Sequence, residues 1–273
     1  MNSTATPVCE QDPVPVIVYG DFASAWSYLA SRRAHRLEAA GLAVVDWRAV
    51  RSLDTRRWLP QAVTARSRIA RETLPQVIDA LLPGEELPVD LGELVPFTEA
   101  AQSAYAEAYV AGRAEEVRRI LFQALWIHHL DVNDPEVLRT LLCDVLVGSD
   151  SPSEVVRETG MVPSMTRGPI STQAWQRLRT WSRQWQQLRS TQTPVLLLNG
   201  HEPLVGRGAV DWLGAQLSLQ GLGSTGIANE DGEPAPRRRA AGFLPDPSWM
   251  SIDGGHWLRE YQLQHPSRTW QLV

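Results

Sequence analysis

Apolar and polar positions along this chain alternate between short strand-like runs and long helical stripes. Val16 to Tyr19 is a β-branched apolar run bounded by Pro15 and Gly20, the pattern of a buried strand. From Ser24 the spacing changes: Tyr28, Leu29 and Leu37 recur at helical intervals, and Gly41 marks the stop. Residues 42–50 return to a strand pattern. Strand, helix, strand predicts a βαβ unit with parallel pairing and a right-handed crossover.

Residues 61 to about 162 read as helix almost throughout. A segment over 62–82 is halted by Pro83-Gly84, and 85–95 is a polar connection. Residues 97–111 follow, with Tyr105 and Tyr109 four apart on one face. The next segment, 114–129, carries a stripe of Val117, Ile120, Leu121, Leu125 and Ile127. Asp134 and Pro135 open another helix as cap and first residue, and a short one lies between Ser151 and Gly160. Over 171–189, Leu178, Trp181, Trp185 and Leu188 share a face, which reads as core rather than as a stacking platform. Residues 193–198 then form a strand into the Asn199-Gly200 turn. His201 to Gly206 returns as an edge strand, where Pro203 is tolerated, and 207–219 is a last helix.

The remainder changes character. Residues 220–247, rich in glycine and proline, read as a flexible linker, and their triplet Arg237 to Arg239 as a solvated run. Residues 248–273 recover apolar content, with Trp249, Trp257, Tyr261 and Trp270.

Composition narrows the function classes. The 273 residues carry a net charge of −5 with no large basic field, which argues against nucleic acid as a partner. All 26 basic residues are arginine, so no lysine amine is present for Schiff-base chemistry. Cys9 lies in a polar leader and Cys143 in an apolar helix, where it reads as a small buried hydrophobe, and no C-x-x-C pair exists. The start lacks the charged and apolar regions of a signal peptide, and no apolar run nears the roughly 20 residues of a membrane span. A cytoplasmic protein with no membrane partner is the expectation. His128 and His129, adjacent on the expected helix, diverge by about 100° and cannot share one ion, so no metal site is expected. Gly221-x-Gly-x-x-Gly226 has no strand before it and is not read as a phosphate loop.

The chemistry concentrates at the first strand–helix junction. A helix N-terminus beside Ser24 to Ser27 presents free N–H groups and a partial positive charge, a place to stabilise an anion or a thiolate. The same serines could simply cap the helix.

The segment Asp21-Phe-Ala-Ser-Ala-Trp-Ser-Tyr-Leu-Ala30 resembles the active-site segment of the DsbA-like thioredoxin family, with serine at both cysteine positions. It is also similar to the branch of 2-hydroxychromene-2-carboxylate isomerases and kappa-class glutathione transferases. There the first serine lies against the thiol of bound glutathione, and Ser24 falls at that position. Ala25 replaces the usual proline. Two further stretches resemble the family: Tyr105 through Asp134-Pro135, similar to its helical insertion, and Thr193-Pro194 ahead of a strand and hairpin, similar to its cis-proline segment. The resemblance covers about residues 14–217. It implies an α/β, thioredoxin-like fold: first part 14–60, helical insertion domain 61–165, second part 166–219, then a C-terminal extension foreign to the family.

On that basis Ser24 and Ser27 are the candidate catalytic residues. Ser24 would donate a hydrogen bond to a thiolate or enolate, with the helix N-terminus adding electrostatic stabilisation. Phe22, Trp26, Trp58 and Trp126 would line an apolar substrate pocket, His128 or His129 could act as a base, and Thr193 and Pro194 would lie opposite Ser24. The expected reaction is of isomerase or transferase type on a small aromatic or unsaturated metabolite, without dithiol exchange, since that needs a thiolate. No cofactor is certain; a low-molecular-weight thiol is the candidate. In the isomerase branch an aspartate after the hairpin helps hold the γ-glutamyl group, and here Gly208-Ala209 stands there, which points away from glutathione. The alternative is a catalytically idle thioredoxin-like binding module. The tryptophan-rich tail would be its interface, or that of a homodimer.

Overall fold

The computed structural model describes residues 13–51, 73–87 and 97–219. The expected position of Trp58, most of the helix expected over 62–82, the linker and the C-terminal tail lie outside the described residues.

Strand β1 (Val14–Gly20) runs into helix α1 (Ala25–Ala39) and returns as β2 (Ala43–Ala49), parallel to β1 along its whole length from Val14↔Ala43 to Gly20↔Ala49. The βαβ unit is as expected. Gly20 is required by close approach: a Cβ there would stand 2.0 Å from the Trp47 ring. Gly41 ends α1 at a φ of 69°, a conformation that favours glycine.

Between β2 and β3 the chain builds helices α2 (Glu99–Val110), α3 (Ala114–Trp126), α4 (Pro135–Leu146), α5 (Glu154–Thr159) and α6 (Thr172–Leu188). Residues 73–78 are also helical. The caps follow the sequence. Asp134 accepts from Glu136 N–H with Pro135 at the first helical position, Ser171 accepts from Ala174 N–H, and Gly160 closes α5 with a left-handed φ of 61°. Two expectations are corrected. Helix α3 stops at Trp126, so His128 and His129 lie beyond its end, and His129 adopts a φ of 52° that no continuing helix allows. Cys143 is half-buried rather than buried, its thiol donating to the Thr159 carbonyl at 3.5 Å.

Strand β3 (Val195–Leu197) pairs antiparallel with β1, and β4 (Leu204–Val205) antiparallel with β3, giving the order β2-β1-β3-β4. The returning strand is thus shorter than the span His201 to Gly206 predicted. Helix α7 (Arg207–Leu219) packs along α1. The Thr193–Pro194 and Val162–Pro163 peptides are cis. The connectivity βαβ, then ββα, on a sheet of this order is that of a thioredoxin fold.

One apolar core runs through the sheet and the helices, with Val18, Phe22, Leu29, Trp47, Tyr105, Leu121, Phe122 and Trp181 inside. Two buried carboxylates organise its polar seams. Glu85 receives Arg33 Nε at 3.0 Å and Arg33 Nη2 at 2.5 Å, while that guanidinium also donates to the carbonyls of Val210 and Ala80. This clamps α1, α7 and the 79–87 turn together. Glu107, fully buried on α2, accepts from the N–H groups of Ile170 and Ser171 at 2.6 Å each and from the Ser171 hydroxyl at 2.7 Å. It fixes the start of α6 to α2.

Candidate functional site at the start of helix α1

The turn between β1 and α1 is wound by its own side chains. Asp21 Oδ1 accepts from Ala23 N–H at 3.0 Å and from the Thr98 hydroxyl at 3.4 Å, joining the turn to the start of α2. Ser27 Oγ accepts from Asp21 N–H at 3.2 Å and has no solvent exposure. Ser27 was expected to be catalytic. The structure places its hydroxyl fully inside the turn, which it fastens.

Ser24 differs. It is half-buried and caps α1, its Oγ accepting from Ser27 N–H at 3.3 Å and donating to the Thr193 carbonyl at 3.2 Å. Ser24 and the cis Thr193–Pro194 peptide therefore meet, as the resemblance implied. Both bonds of the hydroxyl are near the long limit for their type, so it can turn toward another partner at small cost.

Around this point several donors are uncommitted. Among the described residues no acceptor pairs with the N–H groups of Ala25, Trp26 or Thr193. The Thr193 hydroxyl, in a residue 4% exposed, likewise has no partner there. No acidic residue occupies the first turn of α1. The nearest carboxylate, Asp21, is engaged with Ala23 and Thr98. Unfilled N–H groups at a helix start favour negative charge, with the Asp21 carboxylate already bonded to Ala23 N–H on the same turn.

Under the site lies packed aromatic core. Trp126 Nε1 donates to the Phe22 carbonyl at 2.8 Å, and the Trp126 ring stacks on Tyr28 with centroids 5.5 Å apart. Phe22 packs against Phe122 and Tyr105. Phe22, Trp26 and Trp126 are all buried. They were expected to line a pocket. Phe22 and Trp126 pack beneath the turn and hold it in place, and Trp26 is 8% exposed. His128 sits two residues past α3, partly buried, and burial followed by the nearby His129 lowers its pKa to about 4. It is neutral at physiological pH.

Sequence reasoning missed Asp21, Thr98 and Glu107 as organisers. Asp21 stood in the quoted segment, and an Asp two residues before a free N–H is a turn signal in itself.

No protein-family model matches the chain, and no curated protein matches it. Solved structures do. One is a 2-hydroxychromene-2-carboxylate isomerase, at 16% identity and a TM-score of 0.48, covering 76% of this chain and 95% of the other. Another is the cytosolic disulfide reductase DsbM from Pseudomonas aeruginosa, at 16% and 0.49, covering 76% and 100%. A third is a probable DsbA oxidoreductase from Streptomyces coelicolor, at 17% and 0.46, covering 86% and 97%. Likenesses of this degree lend nothing to an activity. The assignment rests on the chain's own arrangement: a sheet of order β2-β1-β3-β4, helices inserted between β2 and β3, and a cis proline facing the start of α1. The fold is thioredoxin-like, with helices inserted between β2 and β3.

No helix among the described residues is long and apolar enough to cross a membrane, and none of their acidic, histidine or cysteine side chains cluster as a metal site.

Proposed function

We propose that the chain is an isomerase- or transferase-type enzyme acting on a small aromatic or unsaturated acid-like metabolite, and that it has no dithiol redox activity. The observation that carries this reading is the set of uncommitted donors at the start of α1, the N–H groups of Ala25, Trp26 and Thr193 beside the Ser24 hydroxyl. Donors held in place before reaction stabilise charge that develops on an enolate or thiolate, because no reorganisation is needed at that moment. Ser24 contributes a proton donor at the helix tip, and the dipole of α1 adds a favourable field.

A thiol fits the same point, since a sulfur anion there would take the Ser24 hydroxyl and the amide groups as donors. Glutathione fits less well. Gly208-Ala209, at the start of α7, offers no carboxylate for a γ-glutamyl amine. When bound, a thiol would supply a nucleophile; the chain's own part is to orient it and hold its charge.

Redox exchange is not supported at this position, because neither Ser24 nor Ser27 can form a mixed disulfide, and Cys143 contacts Thr159 on α5 instead. Insulin reduction by the purified protein, lost on Ser24→Ala, would overturn that part.

A second reading has one observation in its favour: the Ser24 hydroxyl already donates to the Thr193 carbonyl. In a catalytically idle binding module that bond would be permanent. Mass spectrometry of small molecules that co-purify with the protein identifies the ligand, and turnover is then measured with Ser24→Ala. The enzyme reading expects turnover to fall by about 10²–10³-fold with binding retained. Unchanged behaviour in both would favour the idle module.

A further inference from the structure

We infer that the protein associates with itself through charge, the outer face of α6 on one copy docking against the α4–α5 face of another. The inference is independent of the reaction at Ser24. It rests on how charge is distributed. Between residues 159 and 201 the sequence holds five arginines and no Asp or Glu, whereas between 131 and 158 it holds seven carboxylates and two arginines. The modest net charge of −5 therefore conceals two opposed patches in consecutive stretches of chain.

Both patches face solvent. Arg177, Arg179, Arg183 and Arg189 are exposed, and none has a carboxylate partner among the described residues. Arg177 lies over the Tyr109 ring, and Arg183 Nε donates to the Arg179 carbonyl. Several other arginines are paired with carboxylates, Arg33 with Glu85, Arg48 with Asp46, Arg118 with Glu38 and Arg207 with Asp211, while Arg32 bonds the Tyr28 hydroxyl and the Glu86 carbonyl. Arg179 and Arg183 are four residues apart on the line of α6 opposite buried Trp181, so they project together. On the acidic side Asp144, Asp150, Glu154 and Glu158 are exposed.

Each patch also holds apolar surface. Trp175 is 46% and Met165 70% exposed beside the arginines, and the Trp175 ring rests on Gly168 of the same loop as Met165. Val147 is 46% and Val155 44% exposed among the acids. Arginine with an exposed aromatic is the composition enriched at the centre of protein interfaces. The acidic face supplies matching charge and small apolar residues, and every copy of the chain carries both. Electrostatic complementarity of this kind steers association and is screened by salt.

Sedimentation equilibrium of the full chain at about 20 mM and about 500 mM salt reads the contact, since the Debye length shrinks severalfold between them. The expected weight-average mass exceeds 30.4 kDa at low salt and returns to it at high salt. The double variant Arg179→Glu/Arg183→Glu should weaken association by about tenfold or more, as should Glu154→Arg/Glu158→Arg. An equimolar mixture of the two variants should recover a mass above 30.4 kDa, because each now offers the face the other lacks. A wild-type mass of 30.4 kDa at low salt, or association that neither variant alters, would overturn the inference. So would a mixture that stays monomeric while both variants keep native circular dichroism.

Discussion

Helices α1 and α6 begin alike and are finished differently. Each has a serine N-cap whose hydroxyl accepts from a first-turn N–H, Ser24 from Ser27 and Ser171 from Ala174. Neither has an acidic residue in its first turn. At α6 the positive end receives the carboxylate of Glu107 from a neighbouring helix, and its three bonds are short. At α1 the Asp21 carboxylate accepts from the Ala23 N–H and the Thr98 hydroxyl. The cap hydroxyl turns to a backbone carbonyl at 3.2 Å, and the amides of Ala25 and Trp26, like those of Thr172 and Gln173 at α6, are left without acceptors among the described residues, as is that of Thr193. At α6 a carboxylate holds the cap residue itself, whereas at α1 the cap hydroxyl rests on a backbone carbonyl beside the cis proline. That difference cannot be seen in the caps alone.

The strongest way to test the comparison is to remove the neutralising partner. Glu107→Ala strands two amides and a hydroxyl in the core, and should cost about 3–5 kcal/mol in urea unfolding. Ser24→Ala removes the equivalent neighbourhood at α1 and should cost only about 1 kcal/mol of stability. Its effect belongs to turnover, expected to fall about 10²–10³-fold once a substrate is in hand. Equal stability losses at the two sites would dissolve the distinction.

A pH series adds a third test. His128 follows the Trp126 that floors the α1 turn, and burial lowers its pKa from 6.5 to about 4. The unfolded chain therefore binds this proton more readily than the native one, so native stability is complete above about 6.5 and declines as pH falls toward 4. His128→Asn should remove that part of the slope, at most about 3 kcal/mol. A curve unchanged by the substitution would mean the imidazole is not held neutral. The smallest effect is expected at Thr193. Its hydroxyl is buried without a partner, so Thr193→Val should stabilise the protein by about 1 kcal/mol in thermal unfolding. A loss instead would mean the hydroxyl is engaged.

Much of the fold was legible in the sequence. Val16 to Tyr19, Gly41, Asp134-Pro135, Gly160, Ser171 and Asn199-Gly200 announce their elements through apolar period, caps and turn chemistry, all of which act over a few residues. The meeting of Ser24 with Thr193 followed from the resemblance and not from any local pattern, since 169 positions separate them. Three aspects escaped. The stop of α3 at Trp126 has no glycine or proline to mark it. The burial of Ser27, Phe22 and Trp126 depends on how the inserted helices close over the turn, and a side chain's type does not reveal whether it floors a site or lines it. Glu107 lies in an alanine-rich helix and looks like a solvated charge until the distant start of α6 is brought to it.

The central claim is electrostatic: the tip of α1 favours a negative charge at the position of the Ser24 oxygen. A thiol introduced there reports that field directly. In a background of Cys9→Ser and Cys143→Ala, the thiol of Ser24→Cys is titrated by its thiolate absorbance. A helix start whose donors act on that point predicts a pKa below about 7, against about 8.5 for an unperturbed cysteine. A value at or above about 8.5 would contradict the account, because the donors at Ala25, Trp26 and Thr193 would then not be acting on that point.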